Sequence, residues 1–410
     1  MDTLATSLAD DFSAAQAAFA RGELREAADA FARIFAADPG HAESVRHLGL
    51  VAHRIGDHTR AAELISQSIL LEPTAAAYAD LAQVMREVGR YQSARQAARA
   101  AAAIGHATPG YVAAAEAAAG AGLPERWRQV HLVLVEPDGY PHGAGLSDFM
   151  LALAHAFARL GCEPEIVRNR FSKRWANVVF GAHLIDTREL AAGMPPNSVI
   201  VNLEQLRGSK LESNPAYVDL LTRLPVWDYS ARNIAELRAL TGNTRIARLG
   251  IGYVPQMRRL TVPEVQPTDV LFYGSLNERR RAVLQALQGA GLRVRYLFGV
   301  YGPERDRAIA EAKVVLNMHF FDSGIHELIR TSFLLANGKA VVCECNADTE
   351  IEEDIRQAVA VAPYADLAKA CMALVKDDKR RREVERVGFA MFAARDQSAM
   401  LADAITATAL

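Results

Sequence analysis

The stretch from Thr268 to Glu344 constrains the fold most, because short apolar runs alternate there with helix-like segments. The runs are Val270–Tyr273, Val294–Phe298, Val314–Met318 and Ala340–Cys343. Each is rich in β-branched or aromatic residues, and helix-period or turn-like segments separate them. Strands that alternate with helices in this way predict a parallel sheet covered by helices.

Polar and charged residues follow the first of these predicted strands. Ligands of parallel sheets bind at the carboxyl ends of the strands, and here that end carries Gly274, Ser275 and Asn277, followed by the arginine run 279–281. A glycine lets a phosphate approach the backbone, Ser275 or Asn277 caps the next helix, and Arg280 is a candidate for gripping a diphosphate. The pattern predicts an anion site.

Two further candidates, Glu327 and Arg330, are three residues apart. On one helix they share a face, so Arg330 is a candidate for holding a phosphate and Glu327 for holding a ribose or sugar hydroxyl. The alternative is a plain ion pair between the two side chains, worth a few tenths of a kcal/mol.

The first 122 residues carry a repeat. Gly22, Gly56 and Gly89 recur at intervals of 34 and 33 residues, Pro39 and Pro73 are 34 apart, and an alanine stands five residues after each of these glycines. A helix–turn–helix unit with this period and these small residues resembles the tetratricopeptide repeat. The proline closes each unit because it cannot extend a helix.

This resemblance implies a short helical solenoid, with the Ala-rich segment Tyr111–Ala119 as its capping helix. A tetratricopeptide array offers a concave groove to an extended peptide or a partner helix. The alternative is that the array packs on the next domain or dimerises.

The middle block, residues 123–257, opens with a predicted strand, Val130–Val135, and a glycine-containing turn before the helix-period stretch Phe149–Leu160. Gly143 and Gly145 supply the loop, whose backbone N–H groups and helix dipole suit an anion. The turn is not the G-x-G-x-x-G of dinucleotide sites. His142 within it is a candidate base or sugar-hydroxyl ligand, with an exposed loop histidine as the equal alternative.

Further strands are predicted at Asn177–Phe180, Ser198–Asn202 and Val226–Tyr229. Glu204 follows the second of them, where it either faces an acceptor or caps local structure, and the structural role is favoured. A polar linker, Gln256–Pro267, then leads to the last block. A second α/β domain is therefore expected to end near residue 257.

Length and charge bound the remaining possibilities. A chain of 410 residues predicts more than one core, and we divide it at 1–122, 123–257 and 258–410. The net charge of −2 indicates no bias toward nucleic acid or anionic membrane, and no apolar run is long enough to span a bilayer. Cys343 and Cys345 lack partners at zinc-ligand spacing, so we predict no metal site and buried thiols in a reducing cytoplasm.

Two Rossmann-like domains joined by a linker resemble glycosyltransferases of the GT-B fold, in particular the glycosyltransferase-4-like and CgeB-like group. The likeness covers roughly residues 128–395 and rests on the glycine loop after the first C-terminal strand and on the segment Ala336–Val342, which has the form A-x-G-x-x-V-V. It implies an α plus α/β chain, with a tetratricopeptide solenoid before two Rossmann-like GT-B domains. It implies no cofactor beyond a nucleotide-diphosphate sugar as co-substrate, bound by Gly274, Ser275, Arg280, Glu327 and Arg330.

The sequence departs from this group at one point. Retaining members usually carry a glutamate five residues before the motif glycine, where this chain has Phe333, and another where it has Ile325. Three alternatives follow: Glu327 substitutes, donor binding is altered, or activity is absent. No D-x-D motif follows a predicted strand, so a metal-independent reaction is expected.

A repeat array before a GT-B region also resembles the protein O-linked N-acetylglucosamine transferases and bacterial flagellin-modifying enzymes, which suggests a protein acceptor. We therefore expect a cytoplasmic glycosyltransferase, with the acceptor over the middle domain and recruited by the repeats. A non-catalytic tetratricopeptide scaffold is the main rival. A methyltransferase or epimerase is a third hypothesis, and the missing dinucleotide fingerprint argues against it.

Overall fold

The computed structural model describes residues 2–105, 123–140, 142–206, 214–320 and 324–408. The chain forms two compact units. The first holds residues 1–122 together with Glu163–Glu165, and the second holds Leu123–Cys162 and Ile166–Leu410.

The first unit is helical, as predicted. A glycine stands at each predicted turn. The φ angles of Gly22, Gly56 and Gly89 are 81°, 83° and 74°, a left-handed conformation that favours glycine. The predicted helical repeat is confirmed, while the proposed capping segment Tyr111–Ala119 lies outside the described residues. The helices are α1 (Asp2–Arg21), α2 (Leu24–Ala37), α3 (Ala42–Arg54), α4 (His58–Leu71), α5 (Ala75–Glu87) and α6 (Tyr91–Ala103).

Small side chains let the paired helices approach. Ala27, Ala61 and Ala94, the alanines that follow the turn glycines, are fully buried. At Gly49 a Cβ atom would lie 2.6 Å from Cγ1 of Ile65, so α3 and α4 can pack at this distance only with glycine there.

The second unit contains two sheets. The first has the strand order β2-β1-β3-β4-β5-β6 and the second has β11-β10-β9-β7-β8. The pairings β1–β3, β3–β4, β4–β5 and β5–β6 are parallel, as are all pairings of the second sheet. The strands are β1 (Gln129–Leu134), β2 (Glu163–Arg168), β3 (Ala176–Phe180), β4 (Ser198–Asn202), β5 (Val226–Asp228), β6 (Ile246–Arg248), β7 (Thr268–Tyr273), β8 (Val294–Leu297), β9 (Ala312–Asn317), β10 (Ala340–Glu344) and β11 (Ala360–Ala362).

Helices connect these strands, as the alternating pattern predicts. The fold class is thus confirmed as a helical repeat array followed by two Rossmann-like parallel sheets. The helices are α7 (Ser147–Arg159), α8 (Arg188–Ala192), α9 (Pro215–Arg223), α10 (Ala231–Thr241), α11 (Glu278–Gly289), α12 (Gly302–Ala310), α13 (Leu328–Ala336), α14 (Glu353–Ala358), α15 (Leu367–Lys376), α16 (Asp378–Ala393) and α17 (Gln397–Thr406).

Both sheets reverse their strand order at an inner pair. The reversal falls between β1 and β3 in the first sheet and between β7 and β9 in the second. In open α/β sheets the loops at such a switch point leave in opposite directions and open a crevice at the carboxyl ends of the strands, where ligands bind.

The end of the chain returns to the first sheet. Helix α17 packs against α7, and the indole of Trp227 in β5 donates a hydrogen bond of 2.6 Å to the hydroxyl of Thr408. Trp227 also stacks on Trp127, with ring centroids 5.7 Å apart. The division at residue 257 falls in the segment between β6 and β7 and stays a prediction.

Candidate functional site

A cleft of about 550 Å³ opens between the carboxyl ends of the two sheets of the second unit. His142, Gly145 and Glu204 line it from the first sheet, and Gly274 and Arg330 from the second. Its volume lies within the range of small-ligand and cofactor sites. The predicted residues from the two halves of the unit therefore face one space.

Five charged side chains gather beside this cleft at the switch point of the second sheet. We call them the arginine cluster. Three cations against two carboxylates give the group a formal charge of +1. Its members are Arg279, Arg280, Glu327, Arg330 and Glu344.

Arg280 ties together the two strand ends at the switch point. Its guanidinium donates to the carbonyl oxygens of Ser275 after β7 (2.8 Å) and of His319 (3.2 Å) and Met318 after β9, and it lies 3.4 Å from Glu327. It is 2% exposed, and burial lowers its pKa to about 10. Backbone carbonyls thus already occupy much of its donor capacity, although it lines the cleft.

Arg330 is held differently. Nη2 lies 2.9 Å from Oε2 of Glu327, and Nη1 donates to Oδ1 of Asn317 at 3.2 Å. Burial opposes the charged form of Glu327, but the charges of Arg330 and Arg280 outweigh it and lower the pKa of the carboxyl. The i,i+3 ion pair offered as the plain alternative is present, and it faces the cleft.

Glycine is required beside this pair. Gly274 has φ of 132°, and a Cβ atom there would lie 3.2 Å from Nη2 of Arg330. The exposed Ser275 follows it at the cleft wall. The backbone of this loop therefore lies directly against the cationic group, as a phosphate loop requires.

Of the two residues predicted as candidate helix caps, Ser275 and Asn277, it is Asn277 that caps α11. Its Oδ1 accepts from the backbone N–H of Arg280 at 2.9 Å, and its Nδ2 donates to the carbonyl of Phe320. It does not line the cleft among the residues described there. Of the other two arginines in the run, Arg279 pairs with the buried Glu344 and Arg281 is exposed.

The loop after β1 brings His142 to the opposite rim. Its Nδ1 lies 3.0 Å from the hydroxyl of Tyr301, which follows β8, and its ring contacts Phe298. With Nδ1 engaged, Nε2 is the nitrogen that can act on a ligand. The next residue, Gly143, is buried, and a Cβ there would require the carboxylate of Glu136 to move.

A second polar group occupies the ends of β4 and β5. We call Asn202, Tyr217, Asp228 and Asn233 the amide cluster. Asp228 accepts from the side-chain amides of Asn202 (2.6 Å) and Asn233 (3.1 Å), and Asn202 accepts from the hydroxyl of Tyr217 (2.7 Å). Asp228 has no exposed surface, and burial raises its pKa to about 7.

Glu204 joins this group through its backbone rather than its side chain. Its carbonyl oxygen accepts from Asn202 and Asn233, while its half-exposed carboxylate lines the cleft 3.8 Å from Nε2 of His183. The structural role favoured from the sequence is thus seen in the backbone, and the acceptor role of the side chain stays a prediction.

Sequence reasoning missed a partly buried ion-pair network at one wall of the cleft. Asp148 at the start of α7 binds Arg259 (2.6 Å) and Arg305 (2.7 Å). Burial opposes its charged form, yet the two guanidinium groups lower its pKa. Tyr301 lies in the connection that follows β8, and Arg305 lies in α12 just after it, so the strand-end rule that led to Gly274 would have led to this segment as well.

Two histidines near the arginine cluster are buried and lie away from the cleft lining. Nε2 of His326 lies 2.9 Å from the hydroxyl of Thr331, and burial lowers the pKa of His326 to about 4. His319 is 3% exposed, and in the described part of the chain neither of its ring nitrogens has a hydrogen-bond partner. Burial lowers its pKa as well, so both rings are neutral near pH 7.

No family model matches the chain. It is similar to three uncharacterised proteins of Acanthamoeba polyphaga mimivirus, at 28% identity over 144 residues and 29% over 141 and 143 residues. Each match covers 33% of this chain and only 44%, 15% and 19% of the respective relative. The chain thus spans less than half the length of each.

Among solved structures, a mutant of the Thermobaculum terrenum O-GlcNAc transferase is similar at 16% identity and a TM-score of 0.37, covering 97% of this chain and 96% of that one. A MamA protein is similar at 18% identity and a TM-score of 0.25, covering 38% of this chain and 84% of that one. With scores this low, the fold assignment rests on the helices and strands described above. Within the described ranges, no helix has the length and apolar character needed to cross a bilayer.

Proposed function

We propose that this chain is a glycosyltransferase that moves a sugar from a nucleotide-diphosphate donor to an acceptor. The observation that carries the proposal is the arginine cluster at the switch point of the second sheet, beside a cleft of about 550 Å³. Guanidinium groups bind diphosphates through charge-assisted, bidentate hydrogen bonds. The opposing first sheet leaves room for an acceptor.

The donor side would use the second sheet. Arg330, with Arg280 behind it, stabilises the negative charge that develops on the leaving diphosphate. Gly274 and Ser275 let a phosphate reach the backbone beside Asn277 at the start of α11. Ionised Glu327 accepts hydrogen bonds from ribose or sugar hydroxyls. These cationic side chains supply the positive charge that the reaction needs without calling on a metal ion.

The acceptor side would use the first sheet. The acceptor oxygen bonds to the anomeric carbon as the bond from that carbon to the diphosphate breaks, and Nε2 of His142 takes the acceptor proton. Gly143 and Gly145 shape the loop that carries His142, and Glu204 faces the same space. A protein or peptide acceptor would be recruited by the repeats, residues 1–122.

One observation favours the rival, a scaffold that keeps the fold without the chemistry. Phe333 stands at the position where the glycosyltransferases that this chain resembles usually carry a glutamate. It is 2% exposed and packs under the guanidinium groups of Arg259 and Arg305, whose central carbons lie 4.4 Å and 4.8 Å from its ring centre. Ile325 is also buried. Neither position supplies a carboxylate.

A turnover assay distinguishes the glycosyltransferase from the non-catalytic scaffold. The full chain is incubated with UDP-, GDP-, dTDP- and CMP-linked sugars, with and without a peptide library, and nucleotide release and added sugar mass are measured. The proposal expects one donor to be consumed, and Arg330→Met to slow this at least about 100-fold while Arg281→Met does not, because Arg330 lines the cleft and Arg281 is exposed elsewhere. Consumption of none of these donors would favour the scaffold.

A further inference from the structure

Three side chains with metal-ligand chemistry meet in the repeat unit, away from the cleft. His53 lies in the last turn of α3, His58 begins α4 and Glu87 ends α5. One potential ligand atom from each lies within 4.8 Å of the other two, and all three side chains are partly accessible. Imidazole nitrogens with a carboxylate oxygen are a donor set that zinc takes readily.

The repeat itself brings them together. Positions 53 and 87 are 34 residues apart, the repeat period, so they are equivalent positions in consecutive units and stack along the array. The preceding equivalent is Phe19, whose carbonyl accepts from Arg54 at 2.7 Å, as expected for adjacent units. His58 joins the stack from across the turn at Gly56. Searching for ligands close together along the chain misses such a group.

One distance fits a shared ion directly, because Nδ1 of His53 lies 3.2 Å from Nδ1 of His58. Glu87 lies beside the other ring nitrogen of His53, with Oε2 3.4 Å from Nε2 and Oε1 accepting from Gln83. One candidate ligand atom from each of the three residues lies within 4.8 Å of the other two. A tetrahedral zinc ion with bonds of about 2.1 Å separates its ligand atoms by about 3.4 Å. A hydrogen bond between the two Nδ1 atoms needs a proton on one of them. A metal ion replaces that proton and uses both lone pairs.

We propose that His53, His58 and Glu87 bind a divalent transition-metal ion, zinc in preference, with water as the fourth ligand. The ion joins the second and third repeats at the turn-bearing edge of the array. Glu87 completes the site by moving its partly exposed carboxylate toward the imidazole pair. This site is separate from the cleft, so a test of metal binding does not depend on the proposed transfer reaction.

Zinc and cobalt binding to the full chain test the proposal. We expect one equivalent of Zn²⁺ by calorimetry, and ligand-field absorption from Co²⁺ without the thiolate band that cysteine ligands produce. His58→Gln and Glu87→Gln, checked for folding by circular dichroism, should each weaken binding at least about tenfold. His183→Gln, which alters a histidine about as exposed as His53 but distant in sequence from the site, should bind as wild type does.

Either of two results would overturn the site. One is a wild-type chain that takes up no equivalent of either ion. The other is an affinity that is the same in wild type, His58→Gln and Glu87→Gln, which would assign the ion to other ligands.

Discussion

The amide cluster and the arginine cluster occupy the same kind of position, the carboxyl ends of a parallel sheet, and their carboxylates differ in depth, since Asp228 in the first is fully buried and Glu327 in the second is partly buried. Asp228 is surrounded by neutral donors, and burial raises its pKa to about 7. Glu327 stands between two arginines that lower its pKa despite burial. The contrast shows that the charge of the neighbouring groups, together with depth, decides which strand end can attract an anion.

The two clusters also differ in how completely their polar and charged groups are paired within the protein. The side chains of the amide cluster hydrogen-bond to one another and to the backbone of Glu204, Leu206 and Ser230. The arginine cluster carries one more cation than anion, and Arg330 faces the open cleft. The first group fixes the strand ends, and we expect the second to act on ligands as well. Four substitutions or titrations test this difference.

The largest expected effect is loss of stability on changing Arg279. Its Nη1 lies 2.6 Å from Oε2 of Glu344, which is 1% exposed. Arg279→Met leaves that carboxylate buried without its cation, which should lower the free energy of unfolding by about 3–5 kcal/mol. Urea unfolding measures this loss. The control is Arg281→Met, at an exposed position, which should lower the free energy of unfolding by about 0.5 kcal/mol or less. Equal small losses in both would show that the pair contributes nothing.

The amide cluster should make stability depend on pH. Because the pKa of Asp228 is higher in the folded chain than the ordinary 3.8, its contribution is fully present below about pH 4 and is lost as pH rises through about 7. The free energy of unfolding should fall by roughly 3 kcal/mol over this window from this group alone. The difference between wild type and the non-titrating Asp228→Asn, followed by urea unfolding at each pH, isolates it. A difference that is flat with pH contradicts the expectation.

A smaller effect is expected at Gly274. Its φ of 132° is costly for any other residue, so Gly274→Ala should destabilise the chain by about 1–3 kcal/mol. The new methyl group should also displace Arg330 and weaken nucleotide binding. Gly289→Ala, in α11 with no atom within 4 Å of the added Cβ, should instead stabilise by about 0.5–1 kcal/mol. Thermal unfolding of both variants distinguishes backbone strain from a general effect of alanine.

The smallest and most selective effect is expected from Glu327→Gln. Removing this charge makes the arginine cluster more positive, so affinity for a nucleoside diphosphate should rise a few-fold, as loss of about 0.2–1 kcal/mol of repulsion implies. Affinity for the corresponding nucleotide sugar should fall, because Glu327 would no longer accept strongly from its hydroxyls. Calorimetry with both ligands checks this. Changes in the same direction would remove Glu327 from the sugar or ribose contact.

Much of the fold could be predicted because its signals are local. The four strand runs between Thr268 and Glu344 and the turn glycines of the repeats each depend on a few neighbouring residues, and the structure has them where the pattern indicated. Asn277 as a helix cap followed from the same local chemistry.

The site was less predictable because its properties arise from residues far apart in sequence. The run of three arginines does not reveal that Arg279 pairs with Glu344, that Arg280 donates hydrogen bonds to backbone carbonyls, or that Arg281 is exposed. Asp148 and Arg305 are 157 residues apart. Their pairing depends on the packing of two separate α/β layers, which no spacing along the chain expresses.

Direct binding of nucleotides tests the central claim, that the arginine cluster forms a diphosphate site. UDP, GDP, dTDP and CMP are titrated into wild type, Arg330→Met and the control Arg281→Met by calorimetry. We predict that a nucleoside diphosphate binds wild type and Arg281→Met alike, and binds Arg330→Met about 10–100-fold more weakly, since a charged hydrogen bond contributes about 1.5–3 kcal/mol. Unchanged affinity in Arg330→Met, or no binding to wild type by any of the four, would contradict the account.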